Sequence, residues 1–309
     1  MDQAVKFRDP AVTAKGEDRA SVALGRLQTL WFNTGTLCNI ECGHCYIESG
    51  PKNDRLAYLS AAEVAGFLDE IAAGGWPVKE IGFTGGEPFM NADILAMLAA
   101  ALGRGFEVLV LTNAMRPLRR FEAGLAALGA RYGGRLTLRV SLDHYTEAVH
   151  DAERGPGSFE KTLDGIGWLA AHSFRLALAA RHFTDESEAE LRAGFAALIA
   201  AQGWPIDAAD PAQLVIFPEM DVTAEVPEIT TACWGILGKS PDEVMCSSSR
   251  MVVKRKCAAR PVVLACTLIA YDEQFELGAT LAEANRPVPL NHPHCAKFCV
   301  LGGASCSAR

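Results

Sequence analysis

Six short β-rich runs alternate with longer amphipathic stretches over the first two thirds of the chain, and this alternation constrains the fold more than any other feature. The runs are "LQTLWFN" (27–33), "KEIGFT" (79–84), "FEVLVLT" (106–112), "LTLRVSL" (136–142), "FRLALAAR" (174–181) and "QLVIFP" (213–218). Between them lie "SAAEVAGFLDEIAA" from Ser60, "NADILAMLAAALGR" from Asn91, "LRRFEAGLAALGA" from Leu118, "SFEKTLDGIGWLAAH" from Ser158 and "DESEAELRAGFAALIAAQ" from Asp185. Ser60, Asn91, Ser158 and Asp185 are the expected N-caps. Continuously apolar strands separated by helices imply right-handed βαβ units and a parallel sheet. Six strands fall short of a closed eightfold barrel, so the expected fold class is α/β, a partial (β/α)6 barrel of the TIM type. In such a sheet the chemistry sits at the C-terminal ends of the strands.

After about residue 220 the alternation ends, and the rest of the chain carries seven of the ten cysteines together with Pro, Gly and His clusters. That composition implies a small unit held by metal as well as by a core. The expected organisation is an N-terminal segment 1–25, a barrel 26–220 and a cysteine-rich unit 221–309. Half of the 309 residues are hydrophobic, enough for a large core. The formal net charge is −8 and no polybasic run appears, which speaks against nucleic acid or a membrane surface as partner. The N-terminus lacks the apolar core of a signal peptide, and no stretch reaches the ~18 apolar residues of a membrane span. A soluble, cytoplasmic protein is expected. Cysteines in that compartment stay reduced, so ten of them point to metal or redox chemistry rather than to a disulfide framework.

"TLCNIECGHCYIES" (36–49) sets Cys38, Cys42 and Cys45 on the loop after the first strand, with no fourth thiol beside them. A structural zinc site wants four ligands. A cubane iron–sulfur cluster wants one cysteine per iron, so three thiolates leave one iron open to a non-protein ligand. His44, between two of the thiols, reads as a loop residue, and His144, His150, His172 and His182 receive no role.

The spacing Cys-x3-Cys-x2-Cys, Tyr46 directly after the third cysteine, and "TGGEP" from Thr84 to Pro88 together resemble the radical S-adenosylmethionine (SAM) superfamily. "VSLDHYTEAVHDAERGPGSFEKTLDGI" from Val140 resembles its molybdenum-cofactor-synthesis and SPASM/twitch branches. The resemblance implies that Cys38, Cys42 and Cys45 bind a [4Fe–4S] cluster, with the amino and carboxylate groups of SAM on the open iron. It implies that Gly85, Gly86 and Glu87, followed by Pro88, receive the methionine ammonium. Ser141 and Asp143 would meet the ribose hydroxyls or the carboxylate, Arg181 would pair that carboxylate, and Tyr46 would lie by the adenine. Plainer roles stand beside these: a tight βα turn for Gly85 and Gly86, a cap for Asp143, a solvated strand end for Arg181. Asn113, ending the third strand, either faces the pocket or satisfies turn backbone.

In the tail, Cys246 and Cys266 bracket two β-like runs, "RMVVK" and "PVVLA", and a hairpin brings such ends side by side. The later group is Cys295, Cys299 and Cys306. This arrangement is similar to the twitch subdomain, a shortened SPASM domain, and the similarity implies one auxiliary [4Fe–4S] cluster. Cys246, Cys266 and Cys295 would be ligands, with Cys299 or Cys306 completing the set; Pro261 and the closing spacings depart from the full SPASM pattern. Cys257 falls in the hairpin turn as a bystander. Cys233 would close the auxiliary cluster, donate a hydrogen atom to a substrate radical, or be a buried small hydrophobe.

The expected function is that of a radical SAM enzyme of oxidoreductase-like chemistry. It would cleave SAM reductively and take hydrogen from a substrate, with the auxiliary cluster aiding oxidation or anchoring the substrate. The electron donor would be a flavodoxin or ferredoxin. Only about 25 residues precede the first strand, where many peptide maturases carry a leader-binding domain, so a small-molecule substrate is favoured over a peptide. The rival from another class is a non-catalytic iron–sulfur electron carrier or a zinc-stabilised binding module.

Overall fold

Each of the six apolar runs forms a strand within one or two residues of its expected bounds, because side chains that are apolar on both faces suit a sheet covered on both sides. The computed structural model describes residues 6–172, 174–219 and 225–302. In chain order the strands and helices are β1 (Ser21–Val22), β2 (Thr29–Asn33), α1 (Ala61–Gly74), β3 (Glu80–Thr84), α2 (Ile94–Gly103), β4 (Glu107–Thr112), α3 (Arg116–Arg119), α4 (Glu122–Tyr132), β5 (Leu136–Ser141) and α5 (Glu147–Arg154). They continue as α6 (Ser158–Ala171), β6 (Arg175–His182), α7 (Glu188–Gln202), β7 (Leu214–Pro218), α8 (Cys233–Leu237), β8 (Ser249–Val253), β9 (Val262–Leu264), β10 (Glu276–Gly278) and β11 (Val288–Pro289). Strands β2 to β7 pair in parallel in sequence order, the six-stranded partial barrel that the alternation implied.

The two faces of these strands divide the barrel. Phe32 and Phe83 stack at 5.7 Å on the outer face, and Phe67 of α1 meets Phe32 edge-on at 6.2 Å. Trp31 points the other way and fills the lumen, where a Cβ on Gly82 would lie 2.3 Å from its ring. Below Trp31 the lumen is polar, with half-buried Glu80 and buried Arg139 among Thr29, Glu107 and Thr137. Above it, Thr84, Leu111, Ser141, Ala179, Arg181 and Phe217 turn inward at the strands' C-terminal ends.

Helix starts match the expectations in part. Ser60 caps α1 in a reciprocal capping box with Glu63. Asn91 lies three residues ahead of α2, its side chain donating to the carbonyls of Leu59 and Thr34, and the N-cap position is Asp93. The Asp93 carboxylate accepts from the Ala61 amide at the start of α1. Ser158 is inside α6; Asp151 accepts from the amides of Gly157 and Phe159 and so satisfies that helix end. Ser187, two residues past Asp185, caps α7 with Glu190. The stretch from Leu118 divides between α3 and α4, and α5 was not anticipated.

Beyond the barrel, β8 pairs in parallel with β2, from Thr29↔Ser249 to Phe32↔Val252. Strand β9 folds back antiparallel on β8, as the hairpin reading required, and β10 follows. The result is one nine-stranded sheet in the order β10-β9-β8-β2-β3-β4-β5-β6-β7, so the hairpin is hydrogen-bonded to the barrel sheet. Lys254 ties it to α1 through Glu63 at 2.6 Å, and Tyr271 donates to the Ile47 carbonyl beside the cysteine loop. Strand β1 pairs with β11, and Arg19, just before β1, forms a buried ion pair with Glu228 at 2.6 Å. No helix among the described residues is long and apolar enough to cross a membrane.

Candidate active site

The loop that leaves β2 is held against the loop that leaves β3 chiefly by backbone hydrogen bonds, with the Thr34 hydroxyl also donating to the Thr84 carbonyl. The Thr34 amide donates to the Thr84 carbonyl, the Gly86 amide to the Gly35 carbonyl and the Glu87 amide to the Leu37 carbonyl. A Cβ at Gly85, whose φ is +145°, would lie 2.5 Å from the Gly35 oxygen, and one at Gly86 would lie 2.3 Å from the Leu37 oxygen. Both positions therefore require glycine for close approach to the cysteine loop as well as for the turn.

Cys38, Cys42 and Cys45 line one cavity of about 170 Å³ at the C-terminal rim of the barrel. Burial pushes the Cys38 thiol up to about 12, with Glu87, Cys42 and Cys45 adding to the effect, and the Cys42 thiol up to about 11. Tyr46, Gly85, Gly86, Asn113, Ser141, Asp143 and Arg181 line the same cavity, and Phe217, Leu268 and Phe298 add apolar surface to its wall. Asn113 does both things its position allowed. Its side-chain oxygen accepts from the Met115 amide, while its amide nitrogen donates to Asn39 and lies 3.9 Å from the Cys38 sulfur.

Glu87 and Pro88 are the exceptions. Glu87 is buried and absent from the cavity wall, its carboxylate accepting from the Phe89 amide, the Thr112 hydroxyl and the Asn113 amide. Burial raises its carboxyl to about 7 against the pull of those three donors. Instead of facing a ligand ammonium, it locks the β3 loop to the end of β4. Pro88 opens a buried 3₁₀ turn, Pro88–Met90.

Sequence reasoning passed over Arg154, the last residue of α5, which also lines the cavity. Its guanidinium holds both oxygens of Asp143, at 2.7 and 2.9 Å. Burial opposes both charges, but the pair outweighs it: the Asp143 carboxyl lies below its ordinary range and the Arg154 guanidinium stays charged, with Cys42 and Cys45 beside it. Arg181 is likewise paired, to Glu153 at 2.6 Å and Glu219 at 3.2 Å. Glu153 also accepts from the His44 amide and meets the His44 ring at 2.8 Å, which raises the His44 pKa and fixes the loop between Cys42 and Cys45. His150 is buried, and its ring accepts from the Asp143 amide. The "ERG" in the stretch from Val140 was the available signal for Arg154.

A second cavity is lined by Cys246, Cys266, Cys295 and Cys299, with His294 and Leu268. Cys246 sits on a 3₁₀ turn before β8 and Cys266 follows β9, so the hairpin carries both to one end. Cys295 and Cys299 share the π-helical segment Cys295–Leu301. Burial lifts Cys246 to about 11 and raises Cys295, whose neighbours Cys266 and Cys246 add to it. Buried Arg250 donates to the Cys246 carbonyl. Leu268 lines both cavities, which therefore adjoin. No group of three or more His, Cys, Asp or Glu among the described residues converges as for a single metal ion. A four-iron cluster asks for something else, thiolates spread over separate irons around a common space. Cys306 lies outside the described residues. Cys257 is exposed in the hairpin turn, and Cys233 lines neither cavity, its sulfur accepting from the Thr230 amide.

The radical SAM superfamily model matches residues 32–191 of the chain. Over 133 residues the chain is 32% identical to an AdoMet-dependent heme synthase of Oleidesulfovibrio alaskensis, covering 43% of this chain and 32% of that protein. Over 143 residues it is 33% identical to the antilisterial bacteriocin subtilosin biosynthesis protein AlbA of Bacillus subtilis, covering 46% of this chain and 30% of that one. The match spans about a third of the length of these curated relatives. The fold is similar to that of Streptococcus suis SuiB bound to S-adenosylmethionine, with a TM-score of 0.60 at 14% identity over 82% of this chain and 64% of that chain.

Proposed function

Because this chain belongs to the radical SAM superfamily, an enzyme family that uses a [4Fe–4S] cluster and SAM, we propose that Cys38, Cys42 and Cys45 hold that cluster and that SAM fills the adjoining cavity. The observation that carries the proposal is the lining of one cavity by three thiols and by the paired charges Asp143–Arg154 and Arg181–Glu153. When bound, cluster and cosubstrate supply one-electron cleavage of SAM to a 5′-deoxyadenosyl radical that takes hydrogen from a substrate. The chain's own residues bind and orient. Gly85 and Gly86 offer backbone oxygens to the methionine ammonium, Arg154 and Arg181 face its carboxylate, Ser141, Asp143 and Asn113 meet polar groups, and Tyr46 flanks the adenine. Glu87 acts as a positioning residue through the Asn113 amide. Phe217, Leu268 and Phe298 exclude water from a reactive carbon radical.

The four thiols of the second cavity hold an auxiliary [4Fe–4S] cluster, with Cys299 as the fourth ligand. The shared wall at Leu268 supports electron exchange between the two centres. The barrel is taken as 26–220 and the auxiliary unit as 221–309, joined through β8. The apolar side chains of Phe217, Leu268 and Phe298 at the cavity support a small-molecule substrate, in keeping with the heme synthase match. The match to AlbA favours a second reading, a peptide-modifying maturase that admits one side chain at a time. The non-catalytic carrier or zinc module is set aside, because the family and the enzyme-named relatives support an enzyme.

Electron paramagnetic resonance of the anaerobically reconstituted, reduced protein tests the site. The expected result is a cluster signal that shifts when SAM is added, because SAM ligates the open iron. A signal indifferent to saturating SAM would refute the assignment.

A further inference from the structure

The cysteine loop has an outer side as well as an inner one. Asn39 and Ile40, between Cys38 and Cys42, wall a surface groove of about 770 Å³ whose far side is formed by α3 and the first turns of α6. Four cations, Arg116, Arg119, Arg120 and Lys161, line it against two carboxylates, Glu160 and Asp164. Arg119 is engaged by Glu122 at 2.5 Å. Arg116, Arg120 and Lys161 are exposed and make no ion pair with other described residues. On a chain of net charge −8, this groove carries a surplus of positive charge.

The wall behind the groove is thin. Ile40 lines both the groove and the thiol cavity. From Asn39 a hydrogen bond of 3.0 Å reaches Asn113, whose amide nitrogen lies 3.9 Å from the Cys38 sulfur. Two side-chain contacts therefore lead from the groove to a thiol.

We propose that this groove is the docking surface for an acidic one-electron carrier protein. The inference rests on the radical SAM reading above. The docked carrier is oxidised by one electron, the cluster proposed for Cys38, Cys42 and Cys45 is reduced by one, and no bond forms or breaks in that transfer. Charge complementarity selects the partner: an acidic protein is repelled by most of this surface and attracted here. The thin wall favours an electron carrier over a nucleic acid, which would have no use for proximity to a thiol.

The test uses the full chain loaded with iron and a flavodoxin of net negative charge as probe. Binding of the oxidised flavodoxin is measured by calorimetric titration at low and at physiological salt. The triple variants Arg116→Gln/Arg120→Gln/Lys161→Gln and Arg116→Glu/Arg120→Glu/Lys161→Glu should bind about tenfold or more weakly, and wild-type binding should weaken with salt. Reduction by flavodoxin hydroquinone should slow in parallel, while reduction by methyl viologen radical cation, a small reductant with no need of the groove, should be no slower. Equal flavodoxin binding by wild type and variants, or binding of duplex RNA with none of flavodoxin, would overturn the proposal. If methyl viologen reduces the wild type and no 5′-deoxyadenosine forms from SAM, the radical SAM reading fails while the docking result stands by itself.

Discussion

Gly86 and Glu87 are neighbours with separate tasks, and each carries a prediction. A methyl group at position 86 meets backbone, the Leu37 oxygen at 2.3 Å, which has no flexible end to move aside. Gly86→Ala should therefore lower stability by about 1–3 kcal/mol and reduce iron loading of the Cys38 loop, read by thermal melting and iron analysis. At Glu87 burial lifts the folded-state carboxyl from 4.5 to about 7. The folded protein thus holds this proton more tightly than the unfolded chain does. The resulting stabilisation is fully present below pH 4.5 and is lost as pH rises through about 7. The stability difference between wild type and Glu87→Gln, followed by denaturant unfolding, should fall over that window, and a flat difference would contradict the buried carboxyl. The cysteine spacing and the paired glycines could be read from the sequence because their meaning is local. The role of Glu87 could not, since its donors come from Phe89, Thr112 and Asn113, and the fold brings the end of β4 to it. Arg154 escaped although it stands in the same stretch as its partner Asp143, 11 residues on, because the turn from β5 into α5 that brings the two together is a feature of the fold.

Among the elements, strands were more legible than helix starts. β2 to β7 announce themselves by continuous apolar character, whereas Asn91 and Asp185 look like caps and are displaced by Asp93 and Ser187 a turn or less away. Helix α5, "EAVHDAER", is mostly polar and buries only His150 and Glu153, so it offers no apolar face for a search of apolar stretches to find. The hairpin of β8 and β9 was legible from its bracketing cysteines, and it yields the sharpest prediction at this scale. Cys246→Ala with Cys266→Ala should remove about four of roughly eight irons and loosen residues beyond β8, because metal binding is coupled to folding there. The cluster at Cys38, Cys42 and Cys45 should remain. Cys257→Ala alters only the exposed turn and should keep the full iron content. Iron counting on both variants decides; loss of auxiliary iron in Cys257→Ala but not in the double variant would sink the hairpin assignment.

For the whole molecule, the unforeseen feature is continuity. The composition change near residue 220 suggests a separate unit, yet β8 lies along β2, the strand that delivers Cys38, and one sheet runs through both regions. Sequence texture reports local composition and cannot register a parallel pairing between residues 29–32 and 249–252, which only the completed sheet creates. This arrangement sets the two cysteine-lined cavities on either side of Leu268. The central claim, that three thiols at the barrel rim support reductive SAM cleavage, is tested most directly by 5′-deoxyadenosine. The reconstituted wild type with dithionite and SAM should form it, and Cys42→Ala, which leaves the cluster two thiolates, should form none while keeping about half the iron. No 5′-deoxyadenosine from a wild type that holds its full iron, or an undiminished yield from Cys42→Ala, would contradict the account.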